Sequence, residues 1–143
     1  MEKSIISFNE SLDQVVRLSE KDWKMYSPLT LAYIGDAAYE LVIRSIVVKK
    51  ANCHPQKLHQ KVTAKVSAKA QAKMIEALLP LLTEEEASVY RRGRNSKPYT
   101  KAKNASMQEY LEATGFEALI GYLYLCREYD RMNELIAEGL KVL

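Results

Sequence analysis

Asp36 stands in "LAYIGDAAYELVIR", residues 31–44, among Ile34, Ala37, Ala38, Leu41 and Val42, a stretch otherwise built for burial. A carboxylate taken out of water is costly unless a partner compensates it. From 28 to 43 the only charged residues are Asp36 and Glu40, and between 113 and 126 the only one is Glu117. At roughly 100° per residue, Leu29, Ala32, Asp36 and Glu40 share one helical face, and Thr114, Glu117, Gly121 and Tyr124 share another. Two buried carboxylates that met would not both ionise without a cation between them. Hard oxygen ligands completed by water describe Mg²⁺, with Mn²⁺ able to substitute. The other reading pairs each acid with a nearby Arg or Lys, or with a helix end. Neither helix interior offers a cation, and Arg44 lies two turns beyond Asp36. That leans toward a metal and leaves both readings open.

The cations are patterned too. Lys57, Lys61, Lys65, Lys69 and Lys73 recur at every fourth residue, with Glu76 the only acid nearby. Four adjacent like-charged pairs cost a helix roughly 1–2 kcal/mol in sum, which an external polyanion would relieve and a solvated face would tolerate. From Ala87 to Gln108 there is no acid, while Arg91, Arg92, Arg94, Lys97, Lys101 and Lys103 all fall inside. Gly93, Asn95 and Pro98 break the periodicity there, so this stretch reads as an exposed basic loop presented to phosphates. These six, with Lys65, Lys69 and Lys73, form the candidate nucleic-acid-binding set. Nothing suggests base-edge readout, so duplex shape would be recognised. Tyr99 could add a sugar or base contact; Tyr90 fits ordinary packing better. His54 and His59 fit a cap and a surface residue and are given no role.

Long stretches rich in Ala, Leu, Lys, Glu and Gln, with five glycines and four prolines in 143 residues, favour helices. Ser27 and Pro28 open a helix running to about Val48. A second is expected from Pro55 to about Pro80. Thr83 and Glu86 match a capping box opening a third. "ASMQEYLEATG" reads as a short helix closed by Gly115, "FEALIGYLYLC" as a buried one, and "DRMNELIAEGLKVL" as the last. Residues 1–26 are the least readable; Leu12, Val15, Val16 and Leu18 would stripe a short amphipathic helix. The expectation is one all-α domain over residues 1–143 with a real core. Cys53 and Cys126 form no CxxC pair and no zinc set with the histidines, which fits a reduced cytoplasmic chain. No signal peptide or membrane span is read.

"LAYIGDAAYEL" resembles the signature helix of the ribonuclease III family, with its Gly-Asp pair, and "TGFEALIGYLYL" resembles that family's second acidic helix. The likeness covers nearly the whole chain past residue 27. "RRGRN", and the lack of a C-terminal double-stranded-RNA-binding domain, are closer still to the short bacterial form of the family. The resemblance implies a ribonuclease III-type helical endonuclease domain acting on double-stranded RNA with Mg²⁺, and leaving 5′-phosphate and 3′-hydroxyl ends. It places Asp36 and Glu117 as the catalytic metal ligands. It also implies a homodimer, each subunit cutting one strand, and maturation of a large-subunit ribosomal RNA precursor. The sequence departs from the family at Leu29, Ala32 and Thr114, where acids are usual. Those losses motivate a rival expectation, a non-catalytic relative that binds structured RNA. A structural partner protein with a basic face is a third, and it explains the cations poorly.

Overall fold

The computed structural model describes residues 8–19, 21–96 and 106–143, which hold seven α-helices and no strand. They are α1 (Phe8–Val16), α2 (Pro28–Lys50), α3 (Pro55–Val66), α4 (Ala68–Leu78), α5 (Glu84–Arg94), α6 (Met107–Leu125) and α7 (Tyr129–Leu140). The expected all-α class is the observed one. Local chemistry explains most boundaries. Ser27 accepts the Thr30 amide ahead of Pro28, and Thr83–Glu86 and Ser106–Glu109 both close capping boxes.

α2 and α6 cross at the centre, and α4, α5 and α7 pack around them. Leu31, Tyr39 and Ile43 from α2 meet Met74, Ile75 and Leu78 from α4 and Phe116, Leu119 and Ile120 from α6 in one core. Tyr39 and Phe116 stack edge to face with centroids 5.1 Å apart. At the crossing the two backbones touch. A Cβ on Gly35 would overlap the Glu117 carbonyl oxygen, and one on Gly121 would overlap the Leu31 carbonyl oxygen. Only glycine fits at either place.

Four expectations need correction. The helix expected over Pro55–Pro80 is two helices, broken at Ser67 (φ −64°, ψ 155°), whose hydroxyl accepts the Ala70 amide 3.2 Å away and caps α4. Serine competes in this way with helix continuation. Gly115 does not end a helix: α6 runs through it, because the Tyr90 ring and carbonyl lie where a side chain would go, 2.7 Å from a Cβ. Arg91, Arg92 and Arg94 belong to the last turn of α5 rather than to a loop, where cations suit the helix dipole. The N-terminal helix starts at Phe8, and its apolar stripe is exposed at Leu12, Val15 and Val16. It is tied down by polar contacts instead: Asn9 Nδ2 donates to the Tyr124 carbonyl (3.1 Å), and Asp13 pairs with Arg127 at 3.2 Å.

The crossing makes a direct prediction. Gly121→Ala should destabilise the fold by about 3 kcal/mol or more, the upper range for overpacking, because backbone rather than a flexible side chain must move. Urea unfolding checks it; a loss under 1 kcal/mol would mean the helices can part.

Candidate active site

Gly35 fixes where α6 passes α2, and Asp36 follows it directly. Glu117, whose own carbonyl touches Gly35, lies one turn before Gly121. The crossing therefore brings the two carboxyl groups together, close enough to hydrogen-bond each other. The site was expected to hold two buried acids, and half of that is wrong. Asp36 is exposed, while Glu117 is partly covered. Core contacts on α2 are made by Leu31, Ala32, Gly35, Ala38 and Tyr39, which leaves Asp36, Ala37 and Leu41 outside. An apolar run that long covers more of the helix than the core uses.

No Lys or Arg among the described residues forms an ion pair with either acid. Arg44, the nearest cation along α2, is taken by Glu40 at 2.8 Å. Burial, the Asp36 charge and a hydrogen bond that the protonated Glu117 donates to the Asp36 carboxylate together push the Glu117 carboxyl up to about 8. The Gln71 amide acts against them, its Nε2 donating to Glu117 Oε2 across a long 3.4 Å. Glu117 keeps its proton at neutral pH when nothing else neutralises the site.

Two neighbours were not anticipated from the sequence. Gln71 is buried in α4, and Nε2 also donates to the Val66 carbonyl at 2.9 Å. Tyr39, fully buried, donates its hydroxyl to the Lys65 carbonyl (2.7 Å) and faces Met74 Sδ (3.1 Å). Burial first, and then the Glu117 charge, raise its phenol well above the ordinary tyrosine value. Both side chains thus satisfy carbonyls left open where α3 stops at Ser67. A signal for Gln71 was present: it is the one polar residue on the stripe it shares with Met74, Ile75 and Leu78.

The candidate RNA-binding cations divide. Lys65 is half-buried beside the elbow at Ser67, and Lys69 and Lys73 are exposed on α4, the helix that supplies Gln71. Lys57 and Lys61 are exposed in the first half and middle of α3, whose Leu58 and Val62 line one cleft with Val47 and Val48 of α2. Eleven residues separate Asp36 from Val47, about 16 Å along the helix. The ladder is not one continuous face. Arg91, Arg92 and Arg94 are exposed around Gly93, which rests on Ala118 and Gly115 of α6, next to Glu117. Tyr90 is core. Lys97, Lys101, Lys103 and Tyr99 lie outside the described residues.

The positions where the family usually has acids are closed. Ala32 is buried, Leu29 is half-buried, and the buried Thr114 hydroxyl donates to the Tyr110 carbonyl of its own helix at 3.0 Å. Among the described residues, no three His, Cys, Asp or Glu side chains gather as a metal cluster. The oxygen donors of the site are two carboxylates, with the Gln71 amide beside them through Nε2 and its Oε1 buried without a hydrogen-bond donor among the described residues. That set fits Mg²⁺ or Mn²⁺, which bind through one or two carboxylates and keep several waters.

Residues 29–128 match the model of the ribonuclease III domain. The chain belongs to the ribonuclease III family of RNA-cleaving enzymes, in its short Mini-ribonuclease 3 group. Mini-ribonuclease 3 of Clostridium tetani is 48% identical over 82% of this chain and 79% of its own length. That of a Thermoanaerobacter species is 42% identical over 100% of this chain and 99% of its own. A crystal structure of a protein from Fusobacterium nucleatum superposes with a TM-score of 0.76 at 34% identity, covering 85% of this chain and 97% of that one.

The proton on Glu117 has a measurable consequence. Its folded value near 8 lies above the ordinary 4.5, so the folded state without metal holds a proton that the unfolded state releases. Stability from this group is present below about pH 4.5 and is lost as pH rises toward 8. In chelator, the melting temperature of wild type relative to Glu117→Gln should therefore fall between pH 5 and 8. Parallel melting curves across that window would contradict the raised Glu117 carboxyl.

Proposed function

We propose that the chain is a divalent-metal-dependent endoribonuclease that cleaves double-stranded RNA, with Asp36 and Glu117 as its catalytic metal ligands. The observation carrying this reading is the contact between two carboxyl groups that no cationic side chain among the described residues relieves. Mg²⁺ bound there would polarise the scissile phosphodiester and make the attacking water more acidic. The chain's own residues do the rest. Asp36, at the exposed rim, meets the substrate side, and Glu117, held from behind by Gln71, supplies the inner oxygen. Lys65 and Lys69 on one flank, and Arg91, Arg92 and Arg94 on the other, would hold the backbones of a duplex by charge. In-line attack by water leaves a 5′-phosphate and a 3′-hydroxyl. Maturation of a large-subunit ribosomal RNA precursor in the cytoplasm is the role proposed from the family resemblance.

A homodimer belongs to the same proposal. One chain offers one acid pair, and two strands of opposite polarity are matched by two sites about a two-fold axis. Beside α2 lies an apolar groove of about 740 Å³, lined by Phe8, Leu41, Val42, Ile46, Tyr124 and Met132. Leu41 is 64% exposed and Phe8 70%, which favours a partner surface on this side of α2. No described helix is long and apolar enough to cross a membrane.

A non-catalytic RNA-binding domain remains the second reading, favoured by the closed Thr114 position, which leaves the site only two acids. Incubation with long double-stranded RNA separates the two. Cleavage should require Mg²⁺ or Mn²⁺, spare single strands, and drop about a thousandfold or more in Asp36→Asn or Glu117→Gln, since several kcal/mol of charge stabilisation disappear at tenfold per 1.4 kcal/mol. Binding without metal-dependent cleavage would favour the second reading, and near-normal turnover by either variant would overturn the acid pair.

A further inference from the structure

Gln71 is 2% exposed, yet it carries the most polar neutral side chain on the core face of α4. Its Nε2 reaches two acceptors, the Val66 carbonyl at 2.9 Å and Glu117 Oε2 at 3.4 Å. Exchanging nitrogen and oxygen would set Oε1 against the Val66 carbonyl oxygen, acceptor against acceptor, so the amide has one orientation. Oε1 is then left buried without a donor among the described residues. A buried carbonyl in that state is destabilising for the folded chain on its own. An apolar side chain of like volume would avoid the loss, as Met74 and Ile75 do on the same helix.

We infer that Gln71 is a positioning residue of the divalent-cation site: Nε2 fixes the Glu117 carboxylate, and Oε1 accepts from the hydration shell of the bound cation. This rests on the proposed metal site at Asp36 and Glu117. The amide also joins that site to the α3–α4 elbow, because Val66, whose carbonyl it holds, directly precedes Ser67. Lys65 and Lys69 flank the same elbow. Groups behind a metal ligand typically govern affinity by 10–100-fold, about the size expected for Gln71.

The test is Mn²⁺ titration by calorimetry on the full-length chain, with double-stranded RNA cleavage measured in parallel. Gln71→Met keeps the volume and removes both polar ends. It should bind Mn²⁺ about 10–100-fold more weakly and lose kcat by a similar factor. Its KM for RNA, and its RNA affinity in chelator, should stay within about twofold, the phosphate-binding side chains being untouched. Should Gln71→Met fail to fold, Gln71→Asn keeps the amide but withdraws it by one methylene, and should show the same loss. Wild-type Mn²⁺ affinity in a folded variant of either kind would overturn the inference and make Gln71 a cap of α3 alone. Asp36→Asn in the same titration tells the two proposals apart. If Asp36→Asn binds Mn²⁺ like wild type, the metal pair itself is wrong; if only the Gln71 variants do, the pair stands and Gln71 has no part in it.

Discussion

The contact on which the rest of the molecule depends is between backbones. α2 and α6 meet at Gly35 and Gly121, each glycine lying against a carbonyl oxygen of the other helix. No side chain separates the two cylinders there, so their relative register is set by covalent geometry and not by adaptable packing. The chemistry follows from that register. Asp36 is carried on the residue after the contact, and Glu117 contributes the very carbonyl that Gly35 touches. Held this way, the two carboxyl groups lie close enough to hydrogen-bond, and the Asp36 charge holds the Glu117 carboxyl above its ordinary value. A cation at this pair would take the place of the Glu117 proton.

Second in importance is the break at Ser67. A continuous helix from Pro55 to Pro80 would present five lysines as one stripe. The elbow instead puts Lys57, Lys61 and Lys65 on α3 and Lys69 and Lys73 on α4. It also opens the last carbonyls of α3, which Tyr39 and Gln71 then take up. Both of these side chains face Glu117 as well, through charge in one case and a hydrogen bond in the other. Backbone satisfaction and site assembly are one structural solution here.

Much of this could be read from the chain, and the failures have physical causes. Helix starts were readable because capping is local: Ser27–Pro28 and Thr83–Glu86 carry their signals within four residues. Asp36 and Glu117 stood out because a lone acid in an apolar run is conspicuous in one dimension. Whether each was buried did not, since exposure of Asp36 depends on which face of α2 the other helices cover. Gly115 looked like a terminator because its real partner, Tyr90, is 25 residues away and visible only in three dimensions. Ser67 gives no visible break in the sequence because the lysine period runs straight through it. Gln71 is inconspicuous as one polar residue in an alanine-rich segment, and only its place on the apolar stripe of Met74, Ile75 and Leu78 marks it.

The central claim is that Asp36 and Glu117, forced together at the crossing, share one divalent cation. Anomalous diffraction from crystals equilibrated with Mn²⁺ tests it most directly. A shared site predicts a peak about 2.1 Å from a carboxylate oxygen of each residue, with Gln71 Oε1 turned to the waters around it. A map with no peak between them, or with a lysine or arginine side chain bridging the two carboxylates in its place, would contradict it.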